Sequence, residues 1–202
     1  MFLNDFLCAQ LTVDLRYSLI SRFNRSINIR NMLLEIFIIQ QVIFGTRLSA
    51  KDFYKNAKKS ILTNNQFYFD ARHVYANAKK KLPCLKRLPE LTNEMVCVLK
   101  NMETMTITYK LSVTNLEFTL DLTENTDNTG NKINDLFLPM SLRVKDSSVE
   151  RSNDGDVVDF IFSKDASVAK YDTLLVEDKS KTIPSCIKHL INDGFYHEAN
   201  NE

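Results

Sequence analysis

The sequence predicts an α+β chain, with an all-helical N-terminal half followed by a small antiparallel β-sheet and a C-terminal helix. Three observations lead there. Before residue 100, glycine occurs only at Gly45 and proline only at Pro83 and Pro89, while apolar residues recur every three or four positions. From Thr106 the period drops to two, the alternation of a strand with one face buried. After Phe162 the longer spacing returns. The boundaries that follow are a helical domain over 1–103, a β-β-β-α domain over 104–180 and an extension over 181–202.

Each element has its own pattern. Leu11, Leu15, Ser18 and Leu19 step along one helical face, and Met32, Ile36, Ile39 and Ile43 do the same in the apolar run 32–44, with Gly45 as its stop. Ser49 and Asp52 have capping-box spacing ahead of Phe53, Ala57 and Ile61. Asn64-Asn65 breaks the pattern before a helix over about 66–81, and Pro83 and Pro89 bracket a connector. Leu91, Met95, Val98 and Met102 suggest a last helix in this half. Ile107 to Val113 and Leu116 to Leu122 then alternate, with a slip at Thr114-Asn115 that marks a turn or a bulge. A polar loop with Gly130 precedes a strand through Leu138, Met140, Leu142 and Val144, and Pro139 sits near its start. A second polar loop over about 146–155 leads to the strand of Val158, Phe160 and Phe162. Ser163 and Asp165 then read as the start of a helix carrying Val168, Tyr171, Leu174 and Leu175. Pro184 and Gly194 flank a short helix with Ile187 and Leu190.

Composition narrows function. The 202 residues are 44% hydrophobic, enough for a sizeable core. Lys and Arg number 26 against 25 Asp and Glu, a formal charge of +1, so nucleic acid is not the partner that bulk charge suggests. Cys8, Cys84, Cys97 and Cys186 stand too far apart for a zinc site or a dense disulfide framework. The apolar run is shorter than the roughly 20 residues that span a bilayer, and Glu35, Gln40 and Gln41 interrupt it. With Asn4, Asp5 and Asp14 where a leader would be apolar, cytoplasm is the expected compartment.

No catalytic, cofactor or metal constellation stands out. Four glycines form neither common phosphate cradle. His73 lies near Asp70 at helical spacing, without a nucleophile or oxyanion donor beside it. His189 and His197, with Cys186, lack metal-ligand spacing, so copper binding is not expected. Lys79, Lys80 and Lys81, with Lys86 and Arg87 close by, form a basic cluster. It suits RNA or anionic lipid headgroups, or simply the wet face of a helix.

Asn115 to Leu122, with Phe118 where the family carries a Trp, resembles the opening strand of the COMM domain. Leu138-Pro139-Met140-Ser141-Leu142-Arg143-Val144 resembles its proline-containing second strand, and Val158 to Leu174 its last strand and helix. The resemblance implies a non-enzymatic adaptor that forms homo- or hetero-dimers through its β-rich half. It further implies partners among other COMM proteins and coiled-coil scaffold subunits of an endosomal recycling complex, with roles in NF-κB or ubiquitin-ligase regulation. The interface expected from it comprises Leu116, Phe118, Leu120, Leu122, Pro139, Leu142 and Phe160. The alternative is an RNA- or lipid-binding α/β module working through Lys79 to Lys81.

Overall fold

The computed structural model describes residues 15–21, 25–30, 45–49, 52–53, 55–56, 59, 61–104, 108–152, 155–165 and 167–195, the first two segments as backbone strands. Ten strands dominate these residues: β1 Leu15–Ser21, β2 Arg25–Arg30, β3 Gly45–Thr46, β4 Phe67–Tyr68, β5 Cys97–Glu103, β6 Thr108–Thr114, β7 Phe118–Thr126, β8 Lys132–Val144, β9 Asp156–Asp165 and β10 Thr173–Glu177. The helix that matters to the site is α1, Tyr75–Lys86; a single turn, α2, covers Glu90–Asn93. Eight strands form one sheet in the order β1-β2-β8-β7-β6-β5-β9-β10, and β1 also pairs with β9, so the sheet curls into a half-barrel. Its pairings are antiparallel apart from β2–β8.

The alternating segments fold as their period dictates. Val113 stands opposite Leu120, and Leu120 opposite Leu142, so one apolar stripe crosses β6, β7 and β8. On it pack Ala78 and Leu85 of α1, then Leu88, Leu91 and Phe53. The slip after Thr114 is a tight turn: Leu116 takes φ +74°, and Asn115 Oδ1 accepts the N–H groups of Glu117 and Phe118. At the β7–β8 turn Gly130 has φ +85°, where a Cβ would be strained, and Asp127 Oδ1 accepts from the N–H groups of Thr129 and Asn131.

The all-helical first half is not what forms. Leu15, Ser18 and Leu19 lie on a strand, and the spacing of Leu91, Met95, Val98 and Met102 ends in β5. Pairing of β5 with β6 satisfies its backbone and buries Val98 and Met102, a contact between distant segments that local periodicity does not contain. The run 32–44, Leu11 and Ala57 fall outside the described residues. The helix expected over 66–81 is instead a 3-10 turn, β4, a loop and then α1, which continues past Pro83 to Lys86. A proline inside a helix costs about 3 kcal/mol, and burying Leu85 recovers about 2 kcal/mol of that. Ser49 does act as a cap, its Oγ accepting the Asp52 N–H at 3.1 Å.

The C-terminal helix is absent as well. Ser163 and Asp165 belong to β9, and Asp165 Oδ1 accepts the N–H of Ser167 in a turn rather than capping a helix. Leu174 and Leu175 lie on β10, which pairs with β9. Phe160, Phe162, Tyr171, Ile187 and Ile191 form a second apolar cluster, with Leu174, Ile183, Leu190 and Phe195 packed against it.

Candidate functional site

Strand alternation gives β6, β7 and β8 a second face, and it is polar. Ser112 stands opposite Asp121, which stands opposite Ser141, while Thr119 stands opposite Arg143. Thr119 and Asp121 are both buried, Asp121 completely. A buried carboxylate must find partners. Asp121 accepts from Arg143 Nε at 2.6 Å and from the Ser112 hydroxyl at 2.8 Å.

Arg143 is thereby held at both ends. Its Nη1 donates to Asp146 Oδ2 at 2.9 Å, and the guanidinium carbon lies 5.4 Å from the centre of the Tyr109 ring. Asp146 Oδ1 in turn accepts the Ser148 N–H at 2.9 Å. Burial opposes the arginine's charge, but bonds to Asp146 and Asp121 outweigh it and raise its pKa further. Burial pushes Asp121 up to about 6 against the pull of Arg143 and Ser112. Asp146 goes the other way: burial would raise it, yet Ser148 and Arg143 bring it to about 2.

Helix α1 borders the site. Asn77, Lys80 and Lys81 line a cleft of about 280 Å³ with Arg143, Val144 and Asp146. Burial, then the neighbouring Arg143, lowers the pKa of Lys81, with Asp121 and Asp146 opposing. A second cavity of about 400 Å³, lined by Leu116, Thr119, Lys145, Asp146, Ser147, Val149 and Glu150, shares Asp146 with the first. The cleft is therefore lined by two lysines and a guanidinium held by two carboxylates, a set of cations that suits a phosphate group.

A sequence model of the family described as phage-Barnase-EndoU-ColicinE5/D-RelE like nuclease4 (PBECR4) matches residues 34–180 of the 202. The chain belongs to the PBECR4 family. Comparison with curated proteins and with solved structures yields no match.

Membership in PBECR4, a nuclease family, overturns the COMM resemblance, the non-enzymatic adaptor and the endosomal partners that came with it, and with them the expectation that nucleic acid is no partner. The reason is physical. Antiparallel strands joined by polar loops are common to many β-rich folds, and the helix that would have completed the COMM pattern is β10.

Of the seven interface residues, Phe118, Leu120, Leu122, Pro139, Leu142 and Phe160 are buried within this chain, and Leu116 is exposed on the β6–β7 turn. The basic cluster divides. Lys80 and Lys81 line the cleft, and Lys79 is exposed one residue before them. Lys86 ends α1, while Arg87 pairs on the surface with Glu90 and Glu117. Asp70 Oδ1 accepts from His73 Nδ1 at 3.0 Å, and His189 and Cys186 are exposed. No group of three or more potential metal ligands occurs among the described residues.

Asn77, Asp121, Arg143 and Asp146 escaped the sequence reading. The signal available for two of them was an acid and a base on like-facing positions of two neighbouring predicted strands.

Proposed function

We propose that this chain is a ribonuclease whose phosphate-binding and proton-transfer groups are Lys81 and Arg143, assisted by Lys80 and Asn77. The observation that carries the reading is the shared α1–β8 cleft, in which Arg143 is fixed by two carboxylates while Lys80 and Lys81 face it. Family membership supplies the reaction class, and the cleft supplies the chemistry.

RNA brings its own nucleophile. Attack of a 2′-hydroxyl on the adjacent phosphorus, its proton passing to solvent, makes a 2′,3′-cyclic phosphate and expels the 5′-oxygen, which takes up a proton as it leaves. Charge grows on the non-bridging oxygens, and a guanidinium that is already oriented stabilises it with little reorganisation. Lys81 has a lowered pKa, which makes it the better proton donor to the departing oxygen.

An end-labelled RNA oligonucleotide tests this directly. Lys81→Ala is expected to slow cleavage by about 10²–10⁴-fold, the usual worth of a positioned general acid. Lys81→Arg restores charge but not proton transfer, since arginine stays protonated, and is expected to recover binding without rate. Cleavage by Lys81→Ala at the wild-type rate, or equal cleavage at a 2′-deoxy linkage, would overturn the assignment.

A further inference from the structure

Around the start of α1, the chain leaves three aromatic rings partly wet. Tyr68 is 43% exposed, Phe69 39% and Tyr75 60%, with Val74 between them at 43%. Isolated exposed apolar residues need no explanation, whereas a contiguous group of rings does. The rings here meet in two pairs. Phe69 and Tyr75 meet edge to face at 5.1 Å between centroids, and Tyr68 meets His73 in the same manner at 6.2 Å.

The loop that carries them is tied down. Asp70 Oδ1 accepts the N–H groups of Arg72 at 2.9 Å and His73 at 2.7 Å, and the Asp70 N–H reaches the His73 carbonyl at 3.2 Å. Tyr68 is seated from behind: a Cβ at Gly45 would lie 2.3 Å from its ring, so glycine is what lets the ring approach the β3 backbone. Rings held in place lose little freedom when a ligand arrives, which lowers the cost of binding.

What lies next to them is positive. From Tyr75 to Arg87 the chain carries Lys79, Lys80, Lys81, Lys86 and Arg87 and no carboxylate. Tyr75 and Lys79 are one turn apart on α1, so they are neighbours on its surface, about 6 Å along the axis. Lys80 and Lys81 follow into the cleft. Aromatic faces beside a basic track are what an unpaired nucleic-acid strand requires, because bases stack while phosphates pair with lysine.

We infer that Tyr75 and Phe69 form a stacking platform for unpaired nucleobases of the RNA strand whose phosphate enters the Lys80–Lys81–Arg143 cleft. The inference rests on the ribonuclease reading for its choice of RNA, and it makes the enzyme selective for single strands. A duplex keeps its bases stacked on each other and has no face to offer these rings.

The chain contains no tryptophan, so a Tyr75→Trp protein has one such fluorophore, placed on the platform. It is titrated with an uncleavable 2′-O-methyl single strand, with the duplex of the same sequence and with inorganic polyphosphate. Quenching by the single strand but not by duplex or polyphosphate is the expected result. In parallel, Tyr75→Ala is expected to weaken single-strand affinity about tenfold, the usual worth of one stacked base, while Tyr75→Phe retains it. Equal quenching by all three ligands overturns the platform. So does unchanged affinity in Tyr75→Ala alongside a loss in Lys80→Ala, which would leave a purely electrostatic track. Selective quenching by a protein that cuts no RNA supports the platform and sinks the ribonuclease reading, so the two failures are told apart.

Discussion

Two arginines in this molecule are each gripped by two carboxylates, and they do different things. Arg87 pairs with Glu90 and Glu117 where its side chain is 43% exposed and that of Glu117 is 59% exposed. Arg143 pairs with Asp121 and Asp146 where its side chain is 19% exposed and that of Asp121 is fully buried. Water screens the first cluster, so it holds α2 and the β6–β7 turn together only weakly. The second cannot rearrange without leaving a charge stranded, and that fixes its guanidinium at the cleft. Burial, rather than the number of partners, turns the same ion-pair chemistry into a pre-oriented site.

The largest effect expected from this comparison is on stability. Arg143→Met leaves Asp121 buried without its cation, and breaking such a pair costs about 3–5 kcal/mol. Denaturant unfolding should show that loss as a lower midpoint, with RNA cleavage gone as well. A midpoint within error of the wild type would mean that Asp121 is not committed to Arg143.

The next effect is on pH dependence. Asp121 has a folded pKa of about 6, above its ordinary 3.8, so its protonated form favours the folded state. That stability is fully present below about pH 4 and is lost as pH rises through 6, a change of about 3 kcal/mol at most. Asp146, brought to about 2, contributes with the opposite sign: its stability is present above about pH 4 and lost as pH falls towards 2. The pair together should give a stability maximum near pH 4. In thermal melts across pH 2–8, Asp121→Asn is expected to flatten the limb between 4 and 6, and Asp146→Asn the limb below 4. A limb unchanged in its own variant would assign that slope to other groups.

The smallest effect belongs to the exposed cluster. Arg87→Ala should leave the melting temperature within the error of the scan and RNA cleavage unchanged, since screened surface pairs often contribute nothing measurable. A clear loss of cleavage in that variant would extend the working surface beyond the α1–β8 cleft.

The legible part of the fold was its middle. From Thr108 to Phe162, alternating residues located β6, β7, β8 and β9, and the turns at Asn115 and Gly130 fell between them. The illegible parts were the two ends, where an apolar spacing of three or four suggested helices. At β5 and β10 that spacing gave way to pairing with β6 and β9. Of the site, the lysine cluster was legible because it is contiguous. The Asp121–Arg143 pair was not, since its members stand 22 positions apart on two different strands.

By itself, then, the sequence determined what is local: which segments alternate, where turns break them, and that five cations follow Tyr75 without a carboxylate among them. Tertiary structure alone decided which face of β7 meets water, for both its faces are covered, and which of three consecutive lysines lose hydration. Lys81 faces β8 across the cleft, while Lys79 stays wet two residues earlier. The physical reason is the same in each case. Desolvation is a property of what packs against a residue from elsewhere in the chain, and the chain order of the residue does not carry it.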